Sequence, residues 1–352
     1  MVLSLKHSGK GNAKLLLTGE HIIFYGHPAL GLPLPLETLV TVESECQPIL
    51  FSSAVCADIH FQDQLPEEWK KRLEKLFLLY CSKLDISFDC KVHIGIKSQI
   101  PIESGFGSSA ALSAAFLRAL IPFSKKKIDN LNSIAREGEA IFHGKSSGID
   151  TGLALSDTPM AYYLSNSPDK TDSSPELTST PVALFPFYLI AGSVPRMSST
   201  KSLVESVHTK LQTSESLSWE DINNLGKLSR NIISLFQDEI SNQSDNTAIS
   251  DFGRYASQSH QHLKNLGVSH SVIDTLLSDC IARDASGGKI SGAGGGGAFY
   301  IVIDSLKKSI DLFNHSLKYL SKQYSSERLV LNLYLFEKSS GGNLVEDRRL
   351  LK

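Results

Sequence analysis

Apolar and polar positions follow two rhythms along this chain. Lys14–Thr18 (KLLLT) and Leu39–Glu43 are short aliphatic runs, and Val92–Ile96 (VHIGI) alternates with a period of two, so each predicts a strand. Ser108–Leu120 (SSAALSAAFLRAL) is apolar on nearly every side, which predicts a buried helix. Asp129–His143 predicts a second helix, and the apolar, aromatic stretch Ala183–Ala191 predicts a strand opening the second half. Thr200–Leu211, Trp219–Ile240 and Asp251–Leu266 read as amphipathic helices. Ala298–Ile303 and Leu329–Phe336 read as strands flanking a helix over Leu306–Leu320. Both halves mix strands and helices without regular βαβ alternation, so the expected fold class is α+β rather than doubly wound α/β. Ser165–Pro181 (SNSPDKTDSSPELTSTP) is polar and reads as a surface loop or the approach to a domain boundary, and Ser241–Ser250 is a second polar separator.

The length of 352 residues suggests two domains and a core large enough to need no covalent staples. Lys+Arg 35 against Asp+Glu 37 leaves a net charge of -2, which argues against a polyanion-binding surface over the whole protein. No basic stripe interleaved with aromatics appears, so no nucleic-acid partner is expected. Five cysteines (Cys46, Cys56, Cys81, Cys90, Cys280) with no CxxC pair argue against a disulfide scaffold or a zinc module, and a reducing cytoplasm is expected. No stretch approaches the roughly 20 apolar residues of a membrane helix, and no membrane partner is expected.

The segment Pro101-Ile102-Glu103-Ser104-Gly105-Phe106-Gly107-Ser108-Ser109-Ala110 lies between a predicted strand and a predicted helix. Gly105 and Gly107 permit close backbone approaches, and the first helical turn presents amides without internal partners at the positive end of the helix dipole. Such an arrangement binds anions, phosphate above all. The alternative is a plain glycine turn with Ser108 as a helix N-cap. The segment is neither a Walker A loop, which ends in GK[ST], nor a dinucleotide fingerprint, which needs a third glycine.

Glu139 lies near the end of a predicted helix, and Asp150 follows eleven residues later, after a glycine- and serine-rich turn. A turn can bring both acids to one cleft, where one holds Mg²⁺ and the other accepts a proton from a hydroxyl. The competing readings are a solvated helix face or a Glu139–His143 pair, and a turn or cap role for Asp150. Residues 287–297 hold seven glycines in eleven positions, directly before the apolar AFYIVI. That placement favours a tight loop passing close to a ligand or to other backbone over a disordered linker.

In this order the segments resemble the GHMP small-molecule kinase superfamily. Pro101–Ala110 is similar to its phosphate loop, with Phe106 where Leu is usual, and Lys289–Gly297 is similar to its C-terminal glycine motif. Within the superfamily, Lys14–Leu30 (KLLLTGEHIIFYGHPAL) and His143–Asp150 are most similar to the mevalonate kinases. The resemblance implies a two-domain fold, with a ribosomal-S5-like N-terminal domain over 1–182, a ferredoxin-like C-terminal domain over 183–352 and the active site in the cleft between them. It implies an ATP- and Mg²⁺-dependent kinase whose small-molecule substrate is the primary alcohol of mevalonate. Other acceptors, a sugar or phosphomevalonate, and a non-catalytic ligand sensor on the same fold are the alternatives. A homodimer stays open.

By the same resemblance Asp150 would be the base or orienting carboxylate, with Lys14 beside it. Pro101, Gly105, Phe106, Gly107, Ser108, Ser109 and Ala110 would form the ATP-binding loop. Glu139 and Ser109, in preference to Ser108, would hold Mg²⁺. Glu20, His21, Gly294 and Gly295 would serve the acceptor. The chain departs from the pattern at Asn12-Ala13, where Pro-Gly is usual, at Lys145-Ser146-Ser147, where Asn-Pro-Ser is common, and at Thr151, where Asn is common. Val194–Lys201 is two residues longer than the corresponding family segment, and Arg196 receives no role.

Overall fold

Two long strands carry the start of the chain, β1 (Leu5–Thr18) and β2 (Ala29–Ser44), and they pair with each other. The structure, a computed structural model, describes residues 4–47, 49–50, 58–61, 65–144, 146–165, 176–213, 217–237, 245–324, 329–337 and 340–346. Lys145, Cys56, most of the polar stretch after Ser165, residues 241–244 and the end of the C-terminal tail lie outside them. The chain forms two compact units made of discontinuous segments. The first holds Met1–Lys14, Leu36–Ile102 and Gly107–Ser156; the second holds Leu15–Pro35, Glu103–Phe106 and Asp157–Lys352.

The first unit continues with β3 (Ile49–Leu50), β4 (Asp58–Phe61), α1 (Glu67–Leu84), β5 (Ile86–Ser87), β6 (Lys91–Ser98), α2 (Ser108–Leu120), α3 (Leu131–His143) and α4 (Ile149–Ala154). β6 lies antiparallel to β2, from Thr38↔Ser98 to Ser44↔Val92, and parallel to β4. Helices α1, α2 and α3 close over this sheet around Val40, Leu76, Phe77, Tyr80 and Phe116, all fully buried. α2 is buried nearly all round, as its sequence predicts.

The β2–β6 register also corrects the cysteine expectation. Two positions beyond the Ser44↔Val92 pair stand Cys46 and Cys90, and they are joined as a disulfide with Cα atoms 6.1 Å apart. The strand register sets the two cysteines opposite each other, which residue counting does not register. Cys81 and Cys280 are buried thiols.

The second unit adds β7 (Met160–Ser165), β8 (Glu176–Pro181), β9 (Phe187–Val194), α5 (Thr200–Thr213), α6 (Leu217–Gln237), α7 (Asp245–Asn265), α8 (Ser271–Ile281), β10 (Gly287–Ile290), β11 (Gly297–Ile303), α9 (Leu306–Gln323), β12 (Val330–Glu337) and β13 (Ser340–Glu346). Its main sheet has the order β10-β11-β9-β12-β13 and is antiparallel throughout. Ile190, Val207, Leu276, Leu312 and Ile301 form the core between this sheet and its helices. β9 starts at Phe187, not at Ala183, because Pro186 has no amide for the ladder. The mixed, mainly antiparallel sheets are those of an α+β protein. Among the described residues no helix is long and apolar enough to cross a membrane.

Candidate active site

α2 begins where Gly107 adopts a left-handed conformation (φ 76°), and the first helical bond runs from the Ala111 amide to the Gly107 carbonyl. The amides of Ser108, Ser109 and Ala110 therefore open the helix, at the end where its dipole attracts an anion. A side chain at position 107 could not be accommodated: a Cβ there would stand 2.7 Å from Lys14 Cγ. The glycine is thus what lets the Lys14 stem pass the head of α2.

Lys14 ends the first unit's opening segment and is nearly fully buried. Its Nζ lies 3.1 Å from Asp150 Oδ1, and the Asp150 side chain is one-third exposed (33%). Asp150 sits in the first turn of α4, after a left-handed Gly148. The turn before α4 is tied to α3 along its length. The Ser146 carbonyl accepts from Arg136 Nε at 2.8 Å, and the Gly148 carbonyl accepts from Asn132 Nδ2 at 3.0 Å. Thr151, fully buried, donates to Asn132 Oδ1 at 2.6 Å. These bonds carry out the fold-back that places Asp150 near Glu139.

Glu139 is buried on α3 and accepts a 2.5 Å hydrogen bond from Ser146 Oγ. Its pKa rises from 4.5 to about 7, first because burial penalises the charged form and second because Asp150 repels a second negative charge. Hydrogen bonds from Ser146 and Ser109 and the charge of Lys14 pull the other way. Ser109 Oγ lies 2.9 Å from His143 Nε2. The first unit therefore unites Lys14, Gly107, Ser109, Glu139 and Asp150. Ser108 stands beside them on the helix start, Ala110 is buried and Pro101 is exposed. A hydroxyl and a carboxylate are hard oxygen donors of the kind Mg²⁺ takes, and the repulsion between Glu139 and Asp150 is what a cation relieves.

The second unit holds the remaining candidates. Phe106 is fully buried, so its side chain serves the core and only its backbone can meet a ligand. A Cβ on Gly105 would stand 2.7 Å from the Ala298 amide nitrogen and 3.2 Å from an Arg196 guanidinium nitrogen. The glycine run turns through successive left-handed residues, Gly294 to Gly297, with φ of 85°, 64°, 102° and 69°. His21, itself left-handed at φ 63°, donates from Nε2 to the Ala293 carbonyl at 3.0 Å. Burial lowers the His21 pKa, which suits a neutral ring. Glu20 is buried against Lys289.

Four residues here lacked a role in the sequence. Arg196 packs against Gly105 and Gly297, Ser146 holds Glu139, His143 meets Ser109, and Lys289 meets Glu20. The spacing of Glu139, His143 and Ser146 on and after α3 was the available signal for two of them.

Residues 71–157 match the family described as GHMP kinases N terminal domain, and residues 243–314 match that described as GHMP kinases C terminal. The mevalonate kinase of Pyrococcus horikoshii is 25% identical over 318 residues, spanning 85% of this chain and 89% of its own length. That of Thermococcus onnurineus is 27% identical over 305 residues, spanning 82% and 86%. Among solved structures, L. major mevalonate kinase in complex with R-mevalonate superposes with a TM-score of 0.73 at 20% identity, covering 96% of this chain and 98% of that one.

Proposed function

We propose that this chain, which belongs to the GHMP kinase superfamily, transfers the γ-phosphoryl group of ATP to the primary alcohol of mevalonate, giving 5-phosphomevalonate. The observation that carries the reading is the Lys14–Asp150 pair at 3.1 Å, beside a second acid, Glu139, whose pKa stands at about 7. Two carboxylates in one place, one buried on α3 and one partly exposed beside Lys14, can take different tasks. The similarity to mevalonate kinases along more than four-fifths of the chain supports the choice of acceptor.

In this mechanism Asp150 orients the acceptor hydroxyl and receives its proton as the O–H bond breaks. The new O–P bond forms at the γ-phosphorus and ADP departs with the bonding electron pair. Lys14 stabilises the alkoxide character that develops on the acceptor oxygen. The Gly105, Phe106 and Gly107 backbone and the Ser108, Ser109 and Ala110 amides cradle the phosphates, with Pro101 opening the loop. Glu139 and Ser109 would hold Mg²⁺, which would supply neutralising charge for the ATP phosphates. Glu20, His21, Gly294 and Gly295 serve the acceptor. Positioning and charge neutralisation supply the catalysis, with no covalent enzyme intermediate.

The family domains are assigned to 1–182 and 183–352, alongside the interleaved compact units. The proposed compartment is the cytoplasm; Cys81 and Cys280 are free thiols, and the Cys46–Cys90 disulfide is unusual for a reducing compartment. The function is tested by measuring ADP release with mevalonate, galactose, homoserine and phosphomevalonate as competing acceptors. Mevalonate should give the highest kcat/KM. Preference for another alcohol overturns the acceptor and leaves the kinase reading standing; release with none of them overturns both.

A further inference from the structure

Glu20 and Lys289 form an ion pair inside the second unit, away from solvent. Lys289 is fully buried and Glu20 is 5% exposed. Lys289 Nζ donates to Glu20 Oε1 at 2.5 Å and to the Ile290 carbonyl at 2.7 Å. The same carboxylate oxygen accepts from the Gly292 amide at 3.4 Å, and the ammonium lies 5.6 Å from the centre of the Tyr300 ring. The Tyr300 hydroxyl in turn donates to the Leu17 carbonyl at 2.6 Å. Next to it Ser291 Oγ donates to the Leu16 carbonyl and accepts from the Leu16 amide, each at 2.9 Å. His21 completes the row through the Ala293 carbonyl. The end of β1 and the turn after it are thus stitched, residue by residue, to the head of the glycine run.

Burying two charges costs solvation that their attraction seldom fully restores, and two apolar side chains would fill the space without that penalty. A pair kept in this place is explained by what it orients. Both of its members touch the backbone of the glycine segment, and Glu20 lies between Gly19 and the strained His21.

We propose that Lys289 is a positioning residue that fixes Glu20 and thereby holds the Gly19–His21 turn in register with residues 291–297. Glu20 then influences the acceptor through the backbone it anchors, and its carboxylate is committed to Lys289. The inference rests on the kinase reading in taking this turn and this glycine segment as the acceptor side.

The test is a double-mutant cycle in the full-length chain: Lys289→Met, Glu20→Gln and the two combined, with KM for mevalonate and for ATP measured separately. Lys289→Met strands a buried carboxylate, so KM for mevalonate should rise by about tenfold or more while KM for ATP stays within about twofold. The double variant removes both charges and should recover most of that loss. Additive effects overturn the proposal, because a carboxylate that ligates the acceptor directly is lost equally with or without Lys289. An equal rise in both KM values overturns it as well.

Should Lys289→Met fail to fold, the double variant decides. A folded double variant with an acceptor KM near wild type supports the proposal, and one that is unfolded or as impaired as Glu20→Gln overturns it. Hydrogen exchange gives a readout independent of turnover. Amides in residues 15–22 and 289–297 should exchange faster together in Lys289→Met or, if that variant is unfolded, in Glu20→Gln. Acceleration confined to one segment contradicts the coupling. A failed acceptor panel would overturn the kinase reading while this exchange result still stands or falls by itself.

Discussion

Glu139 and Asp150 carry the same functional group in surroundings that make them chemically different. Asp150 keeps one-third of its side chain in water and faces Lys14, whereas Glu139 is enclosed by α3 and the Ser146 turn. Burial and the neighbouring Asp150 charge raise the Glu139 pKa from 4.5 to about 7. The folded state therefore holds a proton that the unfolded state releases, and rising pH favours unfolding across that interval. This contribution to stability is complete below about pH 4.5 and is lost by the time pH passes about 7. Urea denaturation should show wild type losing about 3 kcal/mol against Glu139→Gln between about pH 4.5 and about pH 8. Parallel profiles for the two proteins would mean that Glu139 is not held protonated. The acid pair itself was readable in the sequence because a glycine-rich turn separates its members. Thr151 was not: its departure from the family pattern reads as a change at the site, yet its hydroxyl is spent on Asn132 inside the fold.

Among the elements, α2 was the most readable, since its apolar faces and the glycine loop before it point to one start. α1 has no counterpart among the predicted elements, although Leu73, Leu76, Phe77, Tyr80 and Leu84 all face the core. Their i, i+3, i+4, i+7 and i+11 spacing already sets them on one helical face, so this helix was legible in the sequence. The disulfide and the Glu20–Lys289 pair, in contrast, were hidden. Each depends on strand register or on contacts across a large part of the chain, and no local spacing encodes either. Packing also decides a substitution that propensity misjudges. Gly138 lies within α3, where alanine would improve an isolated helix by about 1 kcal/mol. Here an added Cβ would stand 2.0 Å from the Tyr80 hydroxyl, which is already bonded to Ser113. Gly138→Ala should therefore destabilise the protein by about 1–3 kcal/mol, read as a lowered Tm. A raised Tm would show that Tyr80 can move aside freely.

At the scale of the molecule, chain order and compact units do not coincide, because β1 and β2 each run from one unit into the other. Lys14 closes a segment of the first unit, and the very next residue, Leu15, opens a segment of the second. A motif reader sees KLLLTGEH as one piece; the fold assigns its lysine to the Asp150 cluster and its Glu20 to the glycine run. The family resemblance was legible because the motifs survive as short local strings. Their partition between units was not, since it is a property of long-range contacts. Phosphorus NMR of the protein with ATP, Mg²⁺ and mevalonate tests the central claim most directly. A new phosphomonoester signal split by the adjacent methylene protons should grow as the γ-phosphate signal of ATP declines, and it should disappear in Asp150→Asn, with a loss in rate of about 10²–10⁴-fold. Inorganic phosphate as the sole product, or an ester that forms at the wild-type rate in Asp150→Asn, would contradict the account.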